Sequence, residues 1–177
     1  METKRFLCAL IIAAAASLQL NALQAAPADP QAATKKLAVF LGKSQTEAAI
    51  NGEKASSELD CRWSPKNNFL VCEQTVSLPG GQQQKQLTLY AYNAKDGNYT
   101  FSTFSNPGEK PSSGSVVING NVWTYAFSFS ADGKTTLIRT INEFTAPGAE
   151  NFKTEVSTDG GATWKIILQG IGRRISD

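Results

Sequence analysis

Asp60 and Glu73 flank a pair of cysteines, Cys61 and Cys72. If the cysteines face each other across a hairpin, the two acids stand directly opposite, with Arg62 beside them. Opposed carboxylates repel, share a proton or bind a cation. One reading is therefore an acid/base dyad or an oxygen-ligand cation site. The other is a solvated outer face with Arg62 between two acids, which is routine on strands and is preferred here. The chain has no His. That excludes an imidazole base, a His-ligated metal and His-ligated haem. A Ser or Cys nucleophile would need Lys or Asp help, and no GxSxG elbow, P-loop or CxxC occurs. No catalytic residue, metal site or cofactor is assigned.

Two further clusters carry pattern. Tyr90, Tyr92, Tyr99 and Phe101 share one face if Asp96-Gly97 closes a hairpin. Such rings stack on a flat ligand or simply fill a core, and core is the commoner outcome. Ser157-Thr158-Asp159-Gly160-Gly161-Ala162-Thr163-Trp164 fits S-x-D-x-G-x-T-W, the Asp-box pattern of sialidases and related propellers. The pattern reads as a structural turn: the Asp side chain bonds backbone amides and the glycines accept positive φ. A three-residue loop at 159–161 would set Val156 beside Trp164 and Phe152 beside Leu168. Propellers need at least four blades of about 40–45 residues, more than this chain has.

These residues need elements to hold them. The chain has 177 residues, 17 Lys+Arg against 15 Asp+Glu, and 41% hydrophobic residues. That suits one globular domain behind a leader and gives no polybasic footprint, so nucleic acid is not an expected partner. Lys4 and Arg5 precede an apolar run, Phe6 to Leu20, and small residues follow at Ala22, Ala25 and Ala26. The run is shorter than the roughly 20 residues that span a bilayer. Residues 1–25 therefore read as a signal peptide, 26–33 as a linker and 34–177 as the domain, with no membrane anchor after cleavage. Export to the periplasm or beyond removes Cys8 and leaves Cys61 and Cys72, a pair expected to form a disulfide.

Gln31 to Leu41 reads as one amphipathic helix, with Asp29 as cap, Pro30 at its first position and Gly42 as stop. Beyond it, about ten short alternating segments read as strands: 44–50, 54–63, 68–78, 85–94, 98–105, 114–119, 121–130, 134–145, 150–158 and 162–170. Pairing Cys61 with Cys72 sets Trp63 opposite Leu70, Leu59 opposite Gln74 and Ser57 opposite Val76. Asn119-Gly120 as a turn sets Val116 opposite Trp123 and Val117 opposite Val122, and Asp132-Gly133 sets Phe127 opposite Ile138. Hairpin after hairpin with no intervening helix gives an all-β fold, an antiparallel up-and-down barrel of about ten strands. The loop Asn106 to Gly114 reads as a flexible connection, long enough for a lid.

A short helix ending in Leu41-Gly42, a strand meander, Tyr-Asn-Ala-Lys-Asp-Gly at 92–97, Asp-Gly-Gly-x-x-Trp at 159–164 and Arg173 or Arg174 follow in order. This order resembles the bacterial family of unknown function numbered 1579, which is similar to lipocalins in architecture. The resemblance spans about residues 34–174 and implies a secreted, lipocalin-like barrel. Members carry a Trp soon after the Gly that starts the first strand. Lys43-Ser44-Gln45 stands there instead, so a Trp–Arg closure of the barrel end does not carry over. The more distant nitrobindin type of barrel binds haem through a His that this chain lacks.

The leading functional expectation is a binding module for a small apolar or aromatic ligand. Its cavity candidates are Trp63, Tyr92, Phe101, Trp123, Tyr125 and Phe127. The alternative is a filled barrel that acts through its surface. A third reading, an enzyme, would need the Asp60/Glu73 pair or Arg139 with a tyrosine inside a cavity. Nothing in the sequence sets an oligomeric state.

Overall fold

A computed structural model describes residues 29–106 and 110–176. The leader, the first three linker residues (26–28) and part of the candidate lid loop (107–109) lie outside the described residues. A short helix, α1 (Pro30–Lys35), runs into a 3-10 segment, Lys36–Phe40. Ten strands follow: β1 (Gly42–Ile50), β2 (Glu53–Trp63), β3 (Leu70–Ser77), β4 (Gln83–Asn93), β5 (Asn98–Asn106), β6 (Ser112–Asn119), β7 (Val122–Ala131), β8 (Lys134–Ala146), β9 (Ala149–Ser157) and β10 (Lys165–Ser176). Each pairs antiparallel with the next, and β1 pairs with β10, so the sheet closes on itself. Closure removes the exposed edges that an open sheet would leave. No helix among the described residues is long and apolar enough to cross a membrane.

The β2–β3 hairpin pairs Cys61 with Cys72, Trp63 with Leu70, Leu59 with Gln74 and Ser57 with Val76, the register its sequence implies. The sulfurs are bonded, with Cα atoms 4.1 Å apart. Asp132-Gly133 pairs Phe127 with Ile138 as expected. At β6–β7 the turn is Gly120-Asn121, one residue later than the sequence suggests, so Val116 meets Tyr125 and Val117 meets Thr124. The cause lies on β8. Phe144 N–H donates to the Asn121 carbonyl, and Asn121 Nδ2 donates back to the Phe144 carbonyl. The pairing moves by two residues, so every side chain keeps its face.

The helix also differs from expectation. Asp29 caps it by accepting from Gln31 N–H, and Pro30 opens it. Only six residues are α-helical before the chain tightens into the 3-10 turn. A 3-10 turn advances further per residue, which suits a segment that must deliver its last ring into the barrel mouth. Phe40 enters that mouth. It stacks on Tyr90 at 5.7 Å and meets Trp123 edge-on at 5.3 Å and Phe144 at 5.5 Å. Two ties hold the plug from opposite walls: Tyr99 hydroxyl donates to the Ala33 carbonyl, and Arg174 Nη2 donates to the Val39 carbonyl. The barrel end is thus closed by the helix, with Arg174 of β10 bonding its main chain.

Candidate functional site

Alternation along each strand decides which side chains enter the lumen. Trp123, Tyr125 and Phe127 on β7 face Asn142, Thr140 and Ile138 on β8. These in turn face Phe152, Thr154 and Val156 on β9. The inner face also carries Cys61, Trp63, Leu70, Tyr90, Tyr92, Tyr99 and Phe101 on the strands opposite. Of the cavity candidates, Phe101, Trp123 and Tyr125 are buried, while Trp63, Tyr92 and Phe127 are partly buried against the same core. They do not line one pocket. Trp123 and Tyr125 pack under the Phe40 plug, Tyr92 packs on Tyr99 at the rim, and Phe127 lies beyond Phe101 toward the other end.

Below the aromatic half the lumen wall turns polar. Thr46 bonds Ser57 at 2.8 Å, and Gln74 Nε2 donates to the same Ser57 hydroxyl. Thr88 bonds Thr103 and Thr140 bonds Thr154, each at 2.9 Å. Gln86 donates to Gln84. Hydroxyls and amides are poor material for a dry core, because each needs a partner when it leaves water. Here they satisfy one another along the wall. Gln74, Gln86, Thr103, Phe127, Ile138 and Phe152 face inward and still keep accessible surface.

Sequence reasoning missed the inner-face cluster of Glu150 and Asn142. Asn142 Nδ2 donates to Glu150 Oε2 at 2.8 Å. A Cβ on Gly172 would sit 2.7 Å from Glu150 Oε1, so this glycine makes the space in which the carboxyl lies. Burial pushes the Glu150 carboxyl above its usual range, against the Asn142 hydrogen bond. Burial likewise raises the Tyr90 and Tyr125 hydroxyls, with the Glu150 charge adding to both. The available signal was a lone acid in alternation with Phe152, Thr154 and Val156.

The other candidates lie on the outer wall. Asp60 does oppose Glu73, as the cysteine register requires. Arg62 Nη2 binds Glu73 at 2.5 Å, Lys43 approaches Asp60 at 4.0 Å, and all four side chains are solvated. The pair is a neutralised surface, outside any cavity. Arg139 is also outward-facing: it holds Glu155 at 2.6 Å and covers the Trp164 ring at 3.9 Å, away from the lumen tyrosines. An open groove of about 1060 Å³ runs along β8–β10, β1 and β2, lined by Lys54, Lys153, Glu47 and Glu143 and also by Phe152, Ala48 and Gly170.

The Asp-box residues form a self-satisfied turn. Asp159 accepts from the Thr163 backbone and hydroxyl and from Ser157, which hold its carboxyl well below the usual range. Trp164 Nε1 donates to the Gly161 carbonyl. This bonding occupies residues through Trp164, so the loop is longer than the three residues expected. β10 begins at Lys165 and extends to Ser176, and Val156 meets Lys165 while Phe152 meets Gly170.

Opposite pH dependences follow from these acids. Lys153 and Arg139 hold Glu155 below its ordinary 4.5. Its contribution is complete above that value and is lost as acid protonates the folded state, and Asp159 acts in the same direction from 3.8. Glu150 has the reverse sign: its raised pKa costs stability as pH climbs past 4.5 toward and through its folded value. Thermal melts from pH 3 to 8 are therefore expected to show Glu155→Gln with a lower Tm at neutral pH and a flatter acid limb. Glu150→Gln should raise Tm at neutral pH and leave the acid limb unchanged. Equal curves for the two variants would contradict the assignment.

No known family model and no curated protein matches this sequence.

Proposed function

We propose that the barrel is an exported binding module that takes one small apolar or aromatic molecule into its lumen. The observation that carries this reading is accessible surface on inward-facing residues of a closed wall. Phe127, Ile138 and Phe152 supply apolar contacts, and the hydroxyl–amide belt supplies polar ones. Ligand sites combine these features: apolar walls with a few placed polar groups. The Cys61–Cys72 bond suits an oxidising compartment, which supports export.

A filled barrel working through its surface is the second reading. It is favoured by the helix half of the lumen, where Phe40, Trp123, Tyr125 and Phe144 pack edge to face. Native mass spectrometry of the chain, purified gently from its source, separates the two. A stoichiometric extractable small molecule is the expected result. A bare mass for the folded chain, with no adduct at any collision energy, would favour the filled barrel.

A further inference from the structure

Glu150 projects from β9 into the centre of the barrel. Tyr90 on β4 stands on the opposite wall, and Tyr125 on β7 lies 6.0 Å from Tyr90 between ring centroids. The carboxyl has one hydrogen-bond donor, Asn142, and among the described residues it makes no ion pair. Arg174, on the same face of β10, gives Nη2 to the Val39 carbonyl. Two neighbours are also incomplete. Tyr125 hydroxyl and Asn142 Oδ1 are buried and have no hydrogen-bond partner, and Tyr125 keeps only 8% of its surface. A half-buried carboxyl without a cation carries a desolvation cost, and so does a buried polar atom left unpaired. The hydroxyls of Tyr90 and Tyr125 both feel the Glu150 charge, and Phe101 packs 5.9 Å from the Tyr125 ring. Aromatic faces around an acid are the setting that attracts an ammonium ion.

Resting on the lumen-binding reading, we propose that the ligand carries a protonated amine that seats on Glu150, with its apolar body directed toward Phe127 and Ile138. The ammonium supplies what the cluster lacks: a positive charge for Glu150 and N–H donors for Asn142 Oδ1. The Gly172 cradle keeps the carboxyl where the head group meets it. A carboxylate-headed ligand would be repelled from the same place, and an alcohol would gain hydrogen bonds without the charge.

The test uses a neutral fluorescent probe, N-phenyl-1-naphthylamine, displaced by three molecules that share an indole body: tryptamine, tryptophol and indole-3-propionate. Tryptamine is expected to displace the probe about tenfold more tightly than either analogue, the scale of one charge-assisted contact. Glu150→Gln, which keeps the shape of the side chain, should abolish that preference, so that tryptamine displaces the probe no better than tryptophol. Equal displacement by all three molecules, or a tryptamine preference that survives Glu150→Gln, would overturn the amine proposal while the lumen reading stands. Failure of the probe to bind wild-type protein would overturn both. The wild-type comparison among the three analogues needs no variant to fold.

Discussion

Gly114→Ala is expected to prevent accumulation of folded protein. Gly114 faces inward on β6 opposite Phe101, and its backbone has no positive φ. The demand for glycine is therefore steric. A Cβ there would lie 2.0 Å from the Ala126 carbonyl oxygen and 3.0 Å from the Phe101 ring. The ring cannot simply rotate away, because it packs edge-on against Tyr125 and Phe127. The carbonyl belongs to the neighbouring strand, so relief requires β6 and β7 to part. Ordinary overpacking costs about 1–3 kcal/mol, and a clash with main chain exceeds that range. Gly80→Ala is the matched control. Gly80 has φ of +78° and open space where a Cβ would stand, so its cost is only the left-handed backbone, about 1–2 kcal/mol. Soluble yield and thermal melts of the two variants check the contrast. A Gly114→Ala protein that melts within a few degrees of wild type would show that the strands yield easily.

Loss of the disulfide is the second large effect. The bond joins residues 11 apart, with both cysteines buried against Leu70 and the plug residue Leu37. Closing so short a loop in the unfolded chain is worth about 3 kcal/mol in the chain-entropy model. For a barrel of this size that corresponds to a fall in Tm of about 10 °C. Cys61→Ala with Cys72→Ala should melt near the reduced wild type, and far below the oxidised protein. Coincident melts with and without reductant would contradict the structural role. The bond ties β2 to β3 in the same cluster as the plug residue Leu37, so its loss should loosen the plug before it opens the polar half.

The architecture was readable because hairpin chemistry is local. Asp132-Gly133 and the cysteine pair each fixed a register within a few residues, and both hold in the fold. Local signals fell short where a distant element intervened. Phe144 on β8 draws the β6–β7 turn onto Gly120-Asn121. The Asp-box keeps its residues through Trp164 in side-chain bonding, and so delays β10. The helix was legible from its cap and its apolar residues. That Phe40 enters the barrel end was not, because its partners come from β4, β7 and β8. Alternation placed Trp123, Tyr125 and Phe127 on one face, but alternation carries no depth. Only the assembled barrel separates the packed rings under the plug from Phe127, which is partly buried beyond Phe101. Glu150 was hidden for a similar reason: its isolation depends on Gly172 and on Tyr90 from the far wall.

A binding lumen must admit a small apolar molecule. Titration of the purified protein with N-phenyl-1-naphthylamine tests this directly, with Thr103→Trp as the comparison. Thr103 faces inward, bonded to Thr88, and an indole there would project into the lumen. Wild-type protein is predicted to show a saturable rise in probe fluorescence at one equivalent, and Thr103→Trp to abolish it while retaining a cooperative melt. Identical titrations for the two proteins, or no saturable signal from wild type, would contradict a ligand-binding lumen.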